Sequence, residues 1–200
     1  MVIGYGMVFA EAGQNARKMA KEIEGQQLGY WLHVPEGEAP AGGWPVLLFL
    51  HGAGERGDNL DRVKVHGPPK LVEKVDELRN AVVISPQCPQ ESWWIARTLM
   101  QLLRGVIAGL GTSVDLNRVY VTGLSMGGYG SWDLLSKYPD FFAWIIPSRK
   151  GIGKVGVAGK EINTSKTIEM FLKSKGGCST IRKIFAPIWV KGPIKKFVTE

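Results

Sequence analysis

A serine framed by glycines, Gly123-Leu124-Ser125-Met126-Gly127, follows the apolar run Val119–Thr122 and opens into a stretch with helical spacing. A G-x-S-x-G at a strand-to-helix junction holds the serine on a sharp turn, where its hydroxyl stands clear of the backbone for attack on an acyl carbon. Gly123 and Gly127 are required by that turn, because larger side chains would strike the neighbouring strand or the turn itself. A helix starting at Ser125 also points backbone N–H groups, and the positive end of its dipole, at the place where an oxyanion would form. The competing reading is a plain glycine-rich turn, which would need neither the strand nor the helix expected here.

A second loop supplies the complementary half. His51-Gly52-Ala53-Gly54-Glu55-Arg56-Gly57 follows the apolar run Val46–Leu50. Acyl transfer at a strand-borne serine uses a second backbone donor from a loop of this kind. The Ala53 and Met126 N–H groups are the expected oxyanion hole, with His51, Gly52, Gly123 and Gly127 in support. Glu55 and Arg56 read either as a pair bracing this loop or as a solvated ion pair. Trp93, Trp94 and His66 are candidates for a pocket wall, and core packing is the competing role for the two tryptophans. Asp115 reads as a turn residue before a strand, not as an acid.

A serine hydroxyl is a weak nucleophile until a histidine takes its proton, and a carboxylate normally holds that histidine. His33, His51 and His66 are the chain's three histidines, and all precede Ser125. His51 reads as a brace within its loop and His66 as a residue overhanging the pocket, each with the substitute base as its alternative, and His33 reads as structural on an early strand. Three scattered histidines and two distant cysteines lack metal-ligand spacing, so no metal is expected.

The elements that would position these residues follow from hydrophobic pattern. Short continuous apolar runs bounded by turn residues predict strands at Gln27–Val34, Val46–Leu50, Ala81–Ser85, Val119–Thr122 and, more loosely, Phe142–Ile146. Helical stretches are expected at Gln14–Glu24, Lys70–Leu78, Ile95–Leu110 and Gly127–Lys137, and further on at Thr164–Lys175, with one more strand at Ala186–Val190. Strands alternating with helices predict an α/β fold around a parallel sheet.

The 200 residues are 44% hydrophobic and 22% charged, a balance that fits one soluble globular domain and excludes coiled coil, collagen and wholesale disorder. No apolar run reaches the length of a membrane span. The N-terminal MVIGYGMVFAEAG lacks a basic leader, and Cys88 and Cys178 are too few for a disulfide scaffold, so a cytoplasmic location is expected over secretion. The net charge of +7 is unevenly spread: residues 1–147 carry 13 basic and 15 acidic side chains, and residues 148–200 carry 12 and 3. That step divides a core, 1–147, from a basic segment, 148–200, that is either part of the same domain or a tail. Its lysines, Lys195 and Lys196 among them, show no aromatic interleaving or motif, so no specific nucleic-acid partner is expected.

Taken in order, HGAGERGDNL, KVHGPPKLVE, ISPQCPQESWW and NRVYVTGLSMGGYGSWDLLSKYPDFFAWIIP resemble a serine esterase of the α/β-hydrolase superfamily. The resemblance is to the bacterial branch related to phospholipase/carboxylesterases, feruloyl esterases and polyhydroxybutyrate depolymerase-like esterases, over about residues 14–147. It implies an α/β-hydrolase fold with a mostly parallel central sheet flanked by helices. It also implies Ser125 as nucleophile, the Ala53 and Met126 amides as oxyanion donors, a small-molecule carboxylic ester as substrate, and no cofactor. Beyond Ser125 the family carries an His-Gly-x-x-Asp segment and then a Gly-His. Here the nearest match, Pro187-Ile188-Trp189-Val190, continues as Lys191-Gly192-Pro193, and no motif places Glu161 or Glu169. This departure begins where the charge changes, near Pro147, and one cause, such as a shifted reading frame or a truncated gene product, is expected for both. The sheet would then be incomplete on its C-terminal side and prone to self-association through an exposed edge. Two readings follow: a hydrolase working through Ser125, or a hydrolase-like protein crippled by loss of the triad histidine and aspartate.

Overall fold

The computed structural model describes residues 11–147. Six strands, β1 (Gly13–Lys18), β2 (Gly29–Val34), β3 (Trp44–Leu50), β4 (Val82–Pro86), β5 (Val114–Gly123) and β6 (Trp144–Pro147), form one sheet in the order β1-β2-β4-β3-β5-β6. The four strands from β4 to β6 run parallel, and β2 and β1 complete the other side antiparallel. The sheet is therefore mixed but mostly parallel, as in an α/β-hydrolase.

All seven residues of β3 are buried, which explains its unbroken apolar sequence: a central strand covered on both faces has no solvent side to alternate toward. Val46, Leu48 and Leu50 point to one face, where they join Val82, Ile84, Val119 and Val121 in packing against Leu99 and Leu103 of α3 (Ala96–Leu110) and Leu134 of α4 (Met126–Lys137). Leu47 points to the other, with Val83 and Tyr120, and packs against Val72 and Leu78 beside two short helices, α1 (Pro68–Leu71) and α2 (Asp76–Arg79). This is a helix–sheet–helix sandwich, with the C-terminal ends of β3 and β5 side by side in parallel register, Leu50 opposite Gly123.

Two expected helices take other forms. Gln14–Glu24 is not helical: Gly13–Lys18 pairs with β2 from Gly13↔Val34 to Lys18↔Gly29. Beyond it the chain closes a two-residue hairpin turn at Glu24 and Gly25, both at positive φ, with Ile23 and Gln26 exchanging backbone hydrogen bonds at 2.9 Å. The free edge of β2 offers this segment a full ladder, and that overrides the helix propensity of Ala16, Arg17 and Lys18. Lys70–Leu78 is divided into α1 and α2 because Val75 is extended, at φ −122 and ψ 115; the break lets Val72 and Leu78 both reach the sheet. The expectations at Thr164–Lys175 and Ala186–Val190 lie outside the described residues.

Candidate active site

Two adjacent strand ends build the site. β5 ends at Gly123, Leu124 N–H donates to the Leu50 carbonyl at 2.9 Å, and Ser125 takes φ 53 and ψ −112 before α4 begins at Met126. This is a left-handed conformation that a residue with a side chain adopts only under constraint. The constraint comes from crowding on either side. A Cβ on Gly127 would lie 2.5 Å from the Leu50 carbonyl carbon and 2.8 Å from the His51 oxygen, and one on Gly123 would run into the Gly127 carbonyl. Only glycine lets the first turn of α4 press so closely on β3 and on the end of β5. Gly127 N–H turns back to the Leu124 carbonyl and Gly128 N–H to that of Ser125, both at 2.8 Å. Met126 N–H, at the first helical position, has no carbonyl one turn earlier to take. The Ser125 side chain is half-buried at this end of the sheet.

The loop after β3 faces this turn. A Cβ on Gly52 would sit 3.6 Å from Ser125 Cβ and 3.4 Å from the Leu124 carbonyl oxygen, so the sequence-predicted pair of loops does meet. Ala53, exposed, starts a short 3-10 turn, Ala53–Glu55. Arg56 fixes this turn by donating to the Ala53 carbonyl at 3.2 Å and to the Ser92 carbonyl at 3.0 Å. Ser92 is in turn held by Gln26, whose amide donates to its hydroxyl at 2.6 Å and to the Trp93 carbonyl at 2.9 Å. Arg62 donates to the Gly54 and Arg56 carbonyls, and Gln87 to those of Glu55 and Asn59 at 2.9 and 2.8 Å. Arg56 therefore braces the loop through carbonyls, not through the expected pairing with Glu55.

His51 is buried beneath the loop. Its Nε2 accepts the Cys88 backbone N–H at 2.9 Å, so its proton is on Nδ1, which donates to the Gly52 carbonyl at 2.6 Å. Burial lowers its pKa to about 4, against the opposing effect of the Gly52 bond, and the ring stays neutral. Both nitrogens are committed, which makes His51 a brace and leaves no lone pair for Ser125. Cys88 is buried too, and burial pushes its thiol up to about 11. His33 donates from Nε2 to the Arg79 carbonyl at 3.0 Å, and burial lowers its pKa; it secures α2 to β2. His66 is the exposed one, with its side chain 55% accessible and Nε2 at 3.8 Å from Glu55 Oε1.

The two tryptophans divide. Trp94 lies in the core, 3% exposed, with its indole N–H donating to the His51 carbonyl at 3.2 Å, its ring edge-on to His51, and its side chain pressed on Gly130. It packs and does not line a wall. Trp93 is 52% exposed and tilts toward Tyr129 of α4, itself 49% exposed, with ring centroids 6.4 Å apart. Tyr129 is the neighbour that sequence reasoning did not place here. Asp115 accepts from Asn117 N–H and from Arg118, which hold its carboxyl low against desolvation. Among the described residues no group of three His, Cys, Asp or Glu side chains is arranged to hold a metal, and no helix is long and apolar enough to cross a membrane.

No protein-family model matches the chain, and no curated protein matches its sequence. Solved structures do match. A thermostable esterase superposes with a TM-score of 0.60 at 28% identity, over 78% of this chain and 44% of its own. An acetyl xylan esterase from Aspergillus awamori gives 0.52 at 17% identity, over 72% of this chain and 57% of its own. An S-formylglutathione hydrolase from Staphylococcus aureus gives 0.52 at 14% identity, over 66% and 54%. The chain thus spans about half the length of the solved enzymes it matches. These likenesses concern the fold. By its mixed sheet and by these likenesses, the chain has an α/β-hydrolase fold and is similar to esterases that share it.

Proposed function

We propose that the chain hydrolyses a carboxylic ester of a small molecule through an acyl-enzyme on Ser125. The single observation that carries this reading is the conformation of Ser125, φ 53 and ψ −112 on a half-buried turn that directly faces Gly52. Such strain persists only where the surroundings enforce it, and it concentrates at reactive positions. In this reading the serine oxygen attacks the ester carbonyl, and the negative charge that develops on the carbonyl oxygen is received by the Ala53 and Met126 N–H groups. The alkoxide leaves with a proton, and water then cleaves the acyl–serine bond. Preorganisation supports the assignment of the donors: Arg56, Arg62 and Gln87 hold the Ala53 loop from several sides, so little rearrangement accompanies the charge.

The rival reading, a hydrolase-like protein with a silent serine, draws on one specific observation. No histidine follows Ser125, and the nearby His51 has both nitrogens engaged. A fluorophosphonate probe separates the two. Stoichiometric labelling of folded protein, mapped to Ser125 by peptide mass and absent in Ser125→Ala, together with p-nitrophenyl acetate turnover, supports the esterase. Folded protein that stays unlabelled supports the silent form.

A further inference from the structure

A groove of about 440 Å³ runs between the β1–β2 pair and α3, a volume that suits a small-molecule ligand. Its walls are mostly apolar: Tyr30 and Leu32 from β2, Ile23 beside the hairpin turn, and Leu102, Val106 and Leu110 from α3. Gly105 and Gly109 bare the helix backbone along it, and a Cβ at either would have nothing within 4 Å. From Gln101 to Leu110 the groove follows α3 for about 13 Å. The wall formed by β1 and the segment after it is cationic. Arg17, Lys18 and Lys21 line it, no acidic side chain does so among the described residues, and none of the three is in an ion pair there. Glu24, in the adjoining turn, is engaged by Arg97 at 3.4 Å. Arg17 stands opposite Tyr30 in the β1–β2 register, which puts both side chains on the face that Tyr30 packs toward the core. Burial raises the Tyr30 pKa against the opposing effect of Arg17, so its hydroxyl keeps its proton and is a donor beside the guanidinium.

We propose that this groove binds a fatty-acid anion, its carboxylate at Arg17, Lys21 and the Tyr30 hydroxyl and its alkyl chain along Leu32, Leu102 and Val106. Charge and shape select this occupant together. Cations without acidic partners favour an anion, and a guanidinium offers a carboxylate two parallel N–H donors. The apolar walls beside them favour a long hydrocarbon over a compact anion such as inorganic phosphate, which would leave those walls in water. Leu32, Leu102 and Val106 are buried side chains at the floor, within reach of one inserted chain and not of a flat bilayer. The protein's own basic segment is a poor occupant, because residues 148–200 carry 12 basic and 3 acidic side chains and the cationic wall repels them. Binding here is non-covalent and makes no use of Ser125, so it stands apart from the esterase reading.

The test is isothermal titration calorimetry of the full chain with dodecanoate kept below its micelle concentration, against octanoate and dodecyltrimethylammonium. Wild type is expected to bind one dodecanoate saturably at submillimolar concentration. Each methylene that reaches the walls contributes roughly fourfold, so the shorter octanoate should bind at least about tenfold more weakly. Dodecyltrimethylammonium, with the same chain and the opposite charge, should not bind. Gly105→Leu fills the groove from α3, and Arg17→Gln combined with Lys21→Gln removes the head contacts while keeping polar side chains in place. Each variant is expected to weaken dodecanoate about tenfold. Should Gly105→Leu fail to fold by circular dichroism, the exposed Arg17 and Lys21 pair decides. Wild type that does not bind dodecanoate overturns the proposal, as does equal binding of dodecyltrimethylammonium. Folded variants that bind dodecanoate as tightly as wild type also overturn it, since the ligand then sits elsewhere. Binding to phosphatidylglycerol vesicles with none to monomeric dodecanoate overturns it in favour of an anionic membrane surface. Fluorophosphonate labelling of Ser125 is expected to be the same in wild type and in both variants, so a failure of the esterase reading and a failure of this one are told apart.

Discussion

The imidazole of His51 accepts the Cys88 backbone N–H at 2.9 Å, joining the loop after β3 to the segment after β4 through a ring that is 1% exposed. Because the bond requires an unprotonated Nε2, acid has to break it. The folded-state pKa is about 4, below the 6.5 of a free imidazole, so the unfolded chain binds the proton more readily. The stability due to neutral His51 is fully present above pH 6.5 and is lost as the pH falls toward 4. Its size is about 3 kcal/mol, and His33, shifted the same way, adds to it. Urea midpoints measured from pH 7 to pH 4 should fall steeply. His51→Asn should be less stable at pH 7 by roughly 2 kcal/mol, having left buried polar groups unpaired, and should show a shallower slope. A wild-type midpoint flat across this window would contradict the assignment.

Glycine sites in this fold divide by what a methyl group would meet. At Gly127 it would meet the Leu50 and His51 backbone, which cannot move aside without opening the sheet. Gly127→Ala should cost on the order of 3–5 kcal/mol or prevent folding. Gly105 and Gly109 lie within α3, and a Cβ there would have nothing within 4 Å. Each change to alanine there should stabilise by about 0.5–1 kcal/mol, because alanine is the better helix former and has less backbone freedom to lose. Denaturation midpoints of the three variants check the contrast, and a destabilised Gly105→Ala would count against it.

Much of the central fold was legible because its signals are local. Val46–Leu50 reads as a two-faced strand from its apolar run alone, and Gly123 and Gly127 announce a turn that tolerates no side chain. Edge strand β1 was illegible for a physical reason: Ala16, Arg17 and Lys18 have no strand character, and their ladder is provided by partners in β2, from Trp31 back to Gly29. The placement of Glu55 was hidden similarly. Beside Arg56 in the sequence it looks like half of an ion pair. Only folding sends Arg56 to the Ala53 and Ser92 carbonyls and leaves Glu55 between His51, His66 and Gly52. Trp93 and Trp94 are neighbours in type and position, yet one packs on Gly130 and the other faces solvent; no pattern in two residues distinguishes them.

Arg56 offers a test of the loop brace. Its guanidinium spans the Ala53 and Ser92 carbonyls, and so ties the proposed oxyanion donor to the segment that Gln26 anchors. Arg56→Ala should slow fluorophosphonate labelling of Ser125 by about tenfold through lost positioning. Arg56→Lys should recover little, because a single ammonium lacks the fork that reaches both carbonyls. Thermal midpoints should change by only a few degrees, since the exposed loop contributes little to the core. Labelling of Arg56→Ala at the wild-type rate would sink this account.

Ser125 itself should be costly to the fold. At φ 53 and ψ −112 a β-carbon is disfavoured, whereas glycine enters this region freely. Ser125→Gly relieves that strain and leaves the neighbouring contacts of Leu124, Gly127 and Gly128, which are all made through backbone. The released strain exceeds the additional entropy glycine loses on folding, so the variant should be more stable than wild type by about 1 kcal/mol, while labelling and ester turnover vanish. Ser125→Ala retains the β-carbon and the strain; it should be equally inactive and no more stable than wild type. Comparing the two by urea denaturation separates the effect of the hydroxyl from that of the backbone. If Ser125→Gly were less stable than Ser125→Ala, the turn would be a comfortable one, and the observation that carries the esterase reading would lose its force.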